Sequence, residues 1–181
     1  NPYLTLSENY EAAILESFGK LVEKGYVYRG LRPVYWSPDS VTALAEAEVE
    51  YHDHESHSIY VKFPVKKHSV DKLSGDISVM IWTTTPWTLP ANTGLSFHPR
   101  EKYVAVNTGD EWLILAEALK DFVLNLNGLK SDQEIALTRE DLESLTVAHP
   151  WIARESKVVF GEHVTMDTGT GIVHTAPGHG M

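Results

Sequence analysis

A chain of 181 residues, 43% hydrophobic and 22% charged, is long enough to bury one sizeable core and has an ordinary globular composition. Its formal net charge of −10 argues against a segment that grips nucleic acid by charge alone, because phosphate binding leaves a basic footprint. It has no cysteine, hence neither a disulfide framework nor thiol chemistry, and no apolar run nears the ~20 residues a membrane-spanning helix needs.

Taken in order, Ser7 is placed to cap a helix with Glu8 and Glu11 in its first turn and Lys20 and Lys24 near its end. Tyr10, Ile14, Phe18 and Leu21 fall on one face, and Gly25 stops it. Residues Tyr26 to Trp36 read as a short strand and turn, followed by a helical turn over Ser40 to Leu44. The alternation of Ala47, Val49 and Tyr51 with Glu46, Glu48 and Glu50 predicts a half-exposed strand, paired with His57 to Val65. A buried strand is predicted over Ile77 to Thr83, then strands over Thr93 to Phe97, Tyr103 to Asn107 and Glu111 to Ala116, the last two joined at Thr108-Gly109-Asp110. Leu115, Leu119, Phe122 and Leu126 suggest a helix ended by Asn127-Gly128. A strand over Asp132 to Leu137, a short helix over Arg139 to Leu145 and strands at Thr146 to Pro150, Lys157 to Phe160 and Thr170 to Thr175 complete the pattern. Many short strands with few helices predict a mainly β fold, a barrel with peripheral helices.

The stretch from Trp82 to Asn92 carries the densest chemistry. Thr83, Thr84 and Thr85 stand where the buried strand must stop, and Pro86 and Pro90 end ladder pairing. Because Pro86 biases Thr85 towards extended backbone, Thr83 and Thr85 are expected on one side and Thr84 on the other. Three fixed hydroxyls at a strand end suit a ligand site, although threonine also favours strands for no functional reason. His52, His54 and His57 have some metal-like spacing but complete no zinc pattern, and a solvated strand end and turn is the better account of them. There is no Gly-x-Ser-x-Gly elbow, and Gly169-Thr170-Gly171 lacks the Gly-Lys-Ser/Thr of a phosphate loop. His174, between Val173 and Thr175, reads as a structural histidine on these grounds.

Two segments resemble a known family. Thr83 to Asn92 (Thr-Thr-Thr-Pro-Trp-Thr-Leu-Pro-Ala-Asn) and Gly169 to Gly180 are similar to the two pocket segments of the editing (connective peptide) domain of isoleucyl-tRNA synthetases, of the class I aminoacyl-tRNA synthetase family. Pro33 to Pro38 and Ala43 to Tyr51 extend the resemblance over nearly the whole chain. The related valyl and leucyl domains carry Thr-Thr-Arg-Pro and then an acidic residue, where this chain has Thr85-Pro86-Trp87.

The resemblance implies a distorted β-barrel editing domain over 46–181, truncated at its C-terminal end, preceded by a helix and connecting segment over 1–45. It implies hydrolytic removal of valine from the isoleucine tRNA, with valyl-adenylate as a further candidate substrate, and with Thr84 and Asn92 as catalytic residues. Thr83, Thr84, Thr85, Thr88 and Asn92 would bind substrate, and His174 would gate side-chain size. The implied partners are the valine-charged 3′ end of that tRNA and the remainder of a parent synthetase. A monomer, a cytoplasmic location and no membrane are expected. No metal or cofactor is implied here, ATP and magnesium belonging to the parent's synthetic site. In the family an aspartate two residues past the position of Met181 holds the substrate's ammonium group. With no initiating methionine, the chain reads as an excised piece. A metal-dependent hydrolase built on the His52 cluster and a non-catalytic tRNA or protein docking module are the alternatives.

Overall fold

The computed structural model describes residues 4–31 and 33–179. Gly180, which closes the second resemblance segment, and Met181 lie outside the described residues. Two compact units are present, Asn1–Glu50 and Tyr51–Met181.

In the first unit α1 (Glu8–Glu23) forms as its periodicity predicts. Ser7 takes the cap position, but its hydroxyl makes no cap bond and reaches Leu4 O at 3.3 Å instead. Gly25, at φ 74°, ends the helix: its N–H donates to Val22 O and that of Tyr26 to Leu21 O, which occupies the terminal carbonyls. Antiparallel β1 (Tyr35–Ser37) and β2 (Thr42–Leu44) follow. They replace the helical turn expected over 40–44, because pairing with Tyr35–Ser37 draws Thr42–Leu44 into a ladder. Val41 makes the turn at φ 51°, an unfavourable conformation for a β-branched residue. The strand expected over Ala47 to Tyr51 is likewise absent. A 3-10 turn, Glu46–Glu48, stands there with Ala45 N–H donating to the Glu48 carboxylate at 2.7 Å. Most of this segment is exposed, so its alternation has no buried face to enforce a strand.

The second unit is built on one mixed sheet. Its strands are β3 (Ile59–Lys67), β4 (Ile77–Thr83), β5 (Gly94–Phe97), β6 (Tyr103–Asn107), β7 (Trp112–Ala116), β8 (Gln133–Leu137), β9 (Thr146–Ala148), β10 (Glu155–Phe160) and β11 (Ile172–Thr175). Their order is β11-β5-β10-β9-β3-β4-β7-β6-β8, with β10–β5 and β4–β7 parallel. The expected closed barrel is not seen: among the described residues the ladder ends at β11 and β8. Instead β11 packs against β4, so the sheet curls back on itself. β3 pairs with β4 and β9, not with residues 47–51.

Burial explains the apolar runs. On one face Val79, Ile81, Leu95, Phe97, Tyr103, Ala105 and Ile114 form the main core. Alternate residues Met80, Val104, Val106, Leu113 and Leu115 form a second core under α2 (Lys120–Leu126). Central strands covered on both sides lose polar alternation. The face predicted for α2 is only partly the buried one: Leu119, in the turn just before the helix, is buried, but Leu115 belongs to β7, and Val123 and Leu124 are buried while Phe122 and Leu126 are exposed. Its stop at Asn127-Gly128 stands, with Gly128 at φ 65°. A short α3 (Arg139–Glu143) is capped by Thr138, whose hydroxyl accepts from Asp141 N–H at 3.2 Å.

Candidate functional site

β4 delivers Thr83 to the site, and its ladder ends there as the prolines require. Thr85 N–H donates to Thr83 Oγ1 at 3.0 Å, and the two hydroxyls share a bond of 3.2 Å. With Pro86 at its first position, a 3-10 helix, Pro86–Ala91, carries the chain round to Asn92. Thr88 Oγ1 donates to Thr85 O at 2.8 Å, closing the turn.

Opposite stands β11, antiparallel to β5 with His174 facing Leu95 in the register. The His174 ring is held at both nitrogens: Nε2 lies 2.8 Å from Thr88 Oγ1 and Nδ1 3.2 Å from Asn92 Nδ2. The surrounding groups assign its protons. Asn92 Nδ2 also donates to Gly94 O at 2.9 Å, and its Oδ1 accepts from Ser156 Oγ at 2.6 Å, so the amide cannot be flipped. His174 Nδ1 is therefore an acceptor and Nε2 carries the hydrogen, donated to a Thr88 hydroxyl whose own proton goes to Thr85 O. Burial first, and the nearby His149 second, push the His174 pKa below its ordinary value. The ring is neutral at pH 7 and fixed in orientation.

Thr83, Thr85, Thr88 and His174 line one cavity of about 380 Å³, with Trp82, His163 and His179. Thr84 faces an adjoining cavity of about 240 Å³, with Thr165, Thr168 and Thr170. Thr83 lines this second space too, so the expected split is seen only between Thr84 and Thr85: β4 ends at Thr83, and Thr85, at φ −124° and ψ 63°, is not in the extended strand conformation expected before Pro86. Asn92 does not line either space: fully buried, it stands behind His174, linking β10 and β11 through the start of β5. No Lys, Arg, Asp or Glu is among the described residues lining the two cavities.

Three residues that the sequence did not signal support this arrangement. His149, buried, reaches Leu89 O with Nε2 at 2.8 Å and accepts from the N–H groups of Trp151 and Ile152 at Nδ1, which anchors the 3-10 helix under Thr88. Tyr103 donates to Gly171 O and accepts from His98 N–H, each at 2.7 Å. His163 lines both cavities. His52 and His54 lie in residues 51–58, which have no regular structure, so they share no strand face. Among the described residues no three His, Cys, Asp or Glu side chains converge as a metal site.

Comparison with known proteins places the chain in a family. The family model of tRNA synthetases class I (I, L, M and V) matches residues 1–151. The isoleucine–tRNA ligase of Brachyspira hyodysenteriae is 52% identical over 100% of the chain, and that of Moorella thermoacetica is 51% identical over 100%. The chain spans about 20% of the length of these curated relatives. Among solved structures, the crystal structure of GlLeuRS-CP1 is similar in fold, at a TM-score of 0.51 and 22% identity, covering 66% of this chain and 55% of that one. With most of its length inside the family model and half its residues shared with isoleucine–tRNA ligases, the chain belongs to the class I tRNA synthetases of the I, L, M and V group.

Proposed function

We propose that this segment is the proofreading module of an isoleucine–tRNA ligase, which hydrolyses valine from the 3′ end of the isoleucine tRNA. The observation that carries the reading is the neutral, doubly tethered His174 ring in the wall of a threonine-lined cavity. A pocket made for isoleucine gains only about 1–3 kcal/mol over valine from the extra methylene, a general figure for which this very pair is the standard illustration rather than a result of this structure. A second pocket of opposite logic solves the problem by steric exclusion. An imidazole that cannot swing away rejects the extra methylene of isoleucine, since overpacking costs about 1–3 kcal/mol.

Thr83 and Thr85 present hydroxyls to the ester and the ribose, and Thr84 presents its own from the adjoining space. Asn92 acts through His174, whose position it fixes, and Thr88 holds the other side of the ring. The neutral tautomer also keeps His174 from acting as a base, because Nδ1, its acceptor nitrogen, is already engaged by Asn92. The partners of this reading are the valine-charged tRNA end and the rest of a monomeric ligase, where ATP and magnesium serve the synthetic site.

The test is deacylation by the full-length ligase that carries this segment, with isoleucine tRNA charged with valine or with isoleucine. Valine release about tenfold to a hundredfold faster than isoleucine release is expected from the overpacking cost. Equal rates on the two esters would refute the exclusion of isoleucine.

A further inference from the structure

We infer that His163 is the proton carrier of the hydrolytic step, an inference that rests on the proofreading reading. Ester hydrolysis must move a proton: water gives one up as its oxygen attacks the carbonyl, and the ribose oxygen takes one as it leaves. The hydroxyls of Thr83 and Thr85 orient but are poor bases, and both nitrogens of His174 are taken within the protein.

His163 is differently placed. Its side chain lines both the cavity of Thr85 and His174 and the cavity of Thr84, beside Thr83 in each, and it makes no hydrogen bond among the described residues. It sits in the turn after β10, where Gly161 N–H donates to Phe97 O at 2.9 Å and buried Val164 anchors the far end. The ring folds over Gly161: a Cβ at that position would lie 2.5 Å from His163 Nδ1. Gly161 has no positive φ to explain it, so its lack of a side chain is what leaves space for the imidazole. The other titratable groups facing this cavity are His174 and His179, and His179 lines one cavity, not both. Glu162, adjacent in the chain, is paired with Arg100 at 2.9 Å.

The step balances without a cofactor. A free imidazole nitrogen takes a proton from water as the new C–O bond forms. The same proton passes to the ribose oxygen as the ester C–O bond breaks. Valine leaves as its carboxylic acid and ionises in solvent, and His163 is regenerated neutral.

The experiment is single-turnover deacylation of valine-charged isoleucine tRNA by the full-length ligase, wild type beside His163→Gln, His163→Ala and Gly161→Ala. General base catalysis typically supplies about 10²–10⁴-fold, so His163→Gln should lower the rate constant at saturation about a hundredfold with KM little changed. The pH–rate profiles of the wild type and His163→Gln should differ in shape, because only the wild type has a side chain there that can carry the proton. Gly161→Ala, which crowds the ring, should reproduce part of the loss. Added imidazole should restore rate to His163→Ala, a response no purely structural role gives, and this arm decides the case if the Gln variant proves unstable. A Gln variant within twofold of wild type with the same pH profile overturns the inference, as does an Ala variant that ignores imidazole. A wild-type ligase that releases no valine overturns the proofreading reading itself.

Discussion

At the scale of single residues, His174 is defined by what occupies its nitrogens. Asn92 serves it best among nearby side chains, because one amide supplies the donor for Nδ1 and ties down Gly94 and Ser156 as well. Asn92→Ala would strand the Ser156 hydroxyl and the Gly94 carbonyl in the core, and a loss of about 1–3 kcal/mol in denaturant unfolding is expected. The depressed pKa of His174 has its own signature. Between its folded value and the ~6.5 of an unfolded histidine the unfolded chain binds more protons, so stability rises with pH through that window. The stabilisation is complete above the unfolded value and is lost as pH falls through the folded one. Thermal unfolding followed across this range should show the slope in the wild type and not in His174→Asn.

Among the elements, the segment leading into β11 decides where the imidazole stands. Tyr103 on β6 clasps it through Gly171 O, and burial pushes the phenol up to about 12 from 10.0. Tyr103→Phe leaves His98 N–H and Gly171 O without that partner, with an expected cost of about 1–3 kcal/mol by chemical denaturation. Gly171 itself stands at φ 71°, and a Cβ there would press on Ala116 and lie 2.9 Å from Met166 Sδ. Gly171→Ala should therefore destabilise by more than about 1 kcal/mol and slow valine release, measured on the same preparation.

These contacts also show where sequence reasoning reaches its limit. The side on which each threonine would face was not legible, since Thr84 and Thr85 lie past the strand, whereas the end of β4 at Thr83 was, because the constraint that Pro86 and Pro90 place on ladder pairing is a local rule. The stop of α2 at Asn127-Gly128 was legible for the same reason. The Asn92 contacts to His174 and Ser156 span 82 and 64 residues and exist only because β5 lies between β10 and β11. No local rule supplies that order. The alternation at 47–51 misled because exposed residues can repeat with period two without a strand. Strand count gave the mainly β fold with few helices, but it fixes neither closure nor the ends of a ladder.

For the molecule as a whole, a net charge of −10 leaves little Coulombic grip on phosphate. The 181-residue chain on its own should bind isoleucine tRNA no more tightly than about 10⁻⁵ M at physiological salt, in the range of non-specific association. Filter binding over a salt series checks this. On the proofreading proposal, selection by the segment would come from the shape of the cavity once a tRNA end is delivered, not from attraction to the nucleic acid. The most direct measurement is the ratio of valine to isoleucine release by the full-length ligase before and after His174→Ala. A ratio well above one is expected for the wild type, falling towards one in the alanine variant as isoleucine begins to be cleaved. An unchanged ratio in the alanine variant would contradict the gating role of His174.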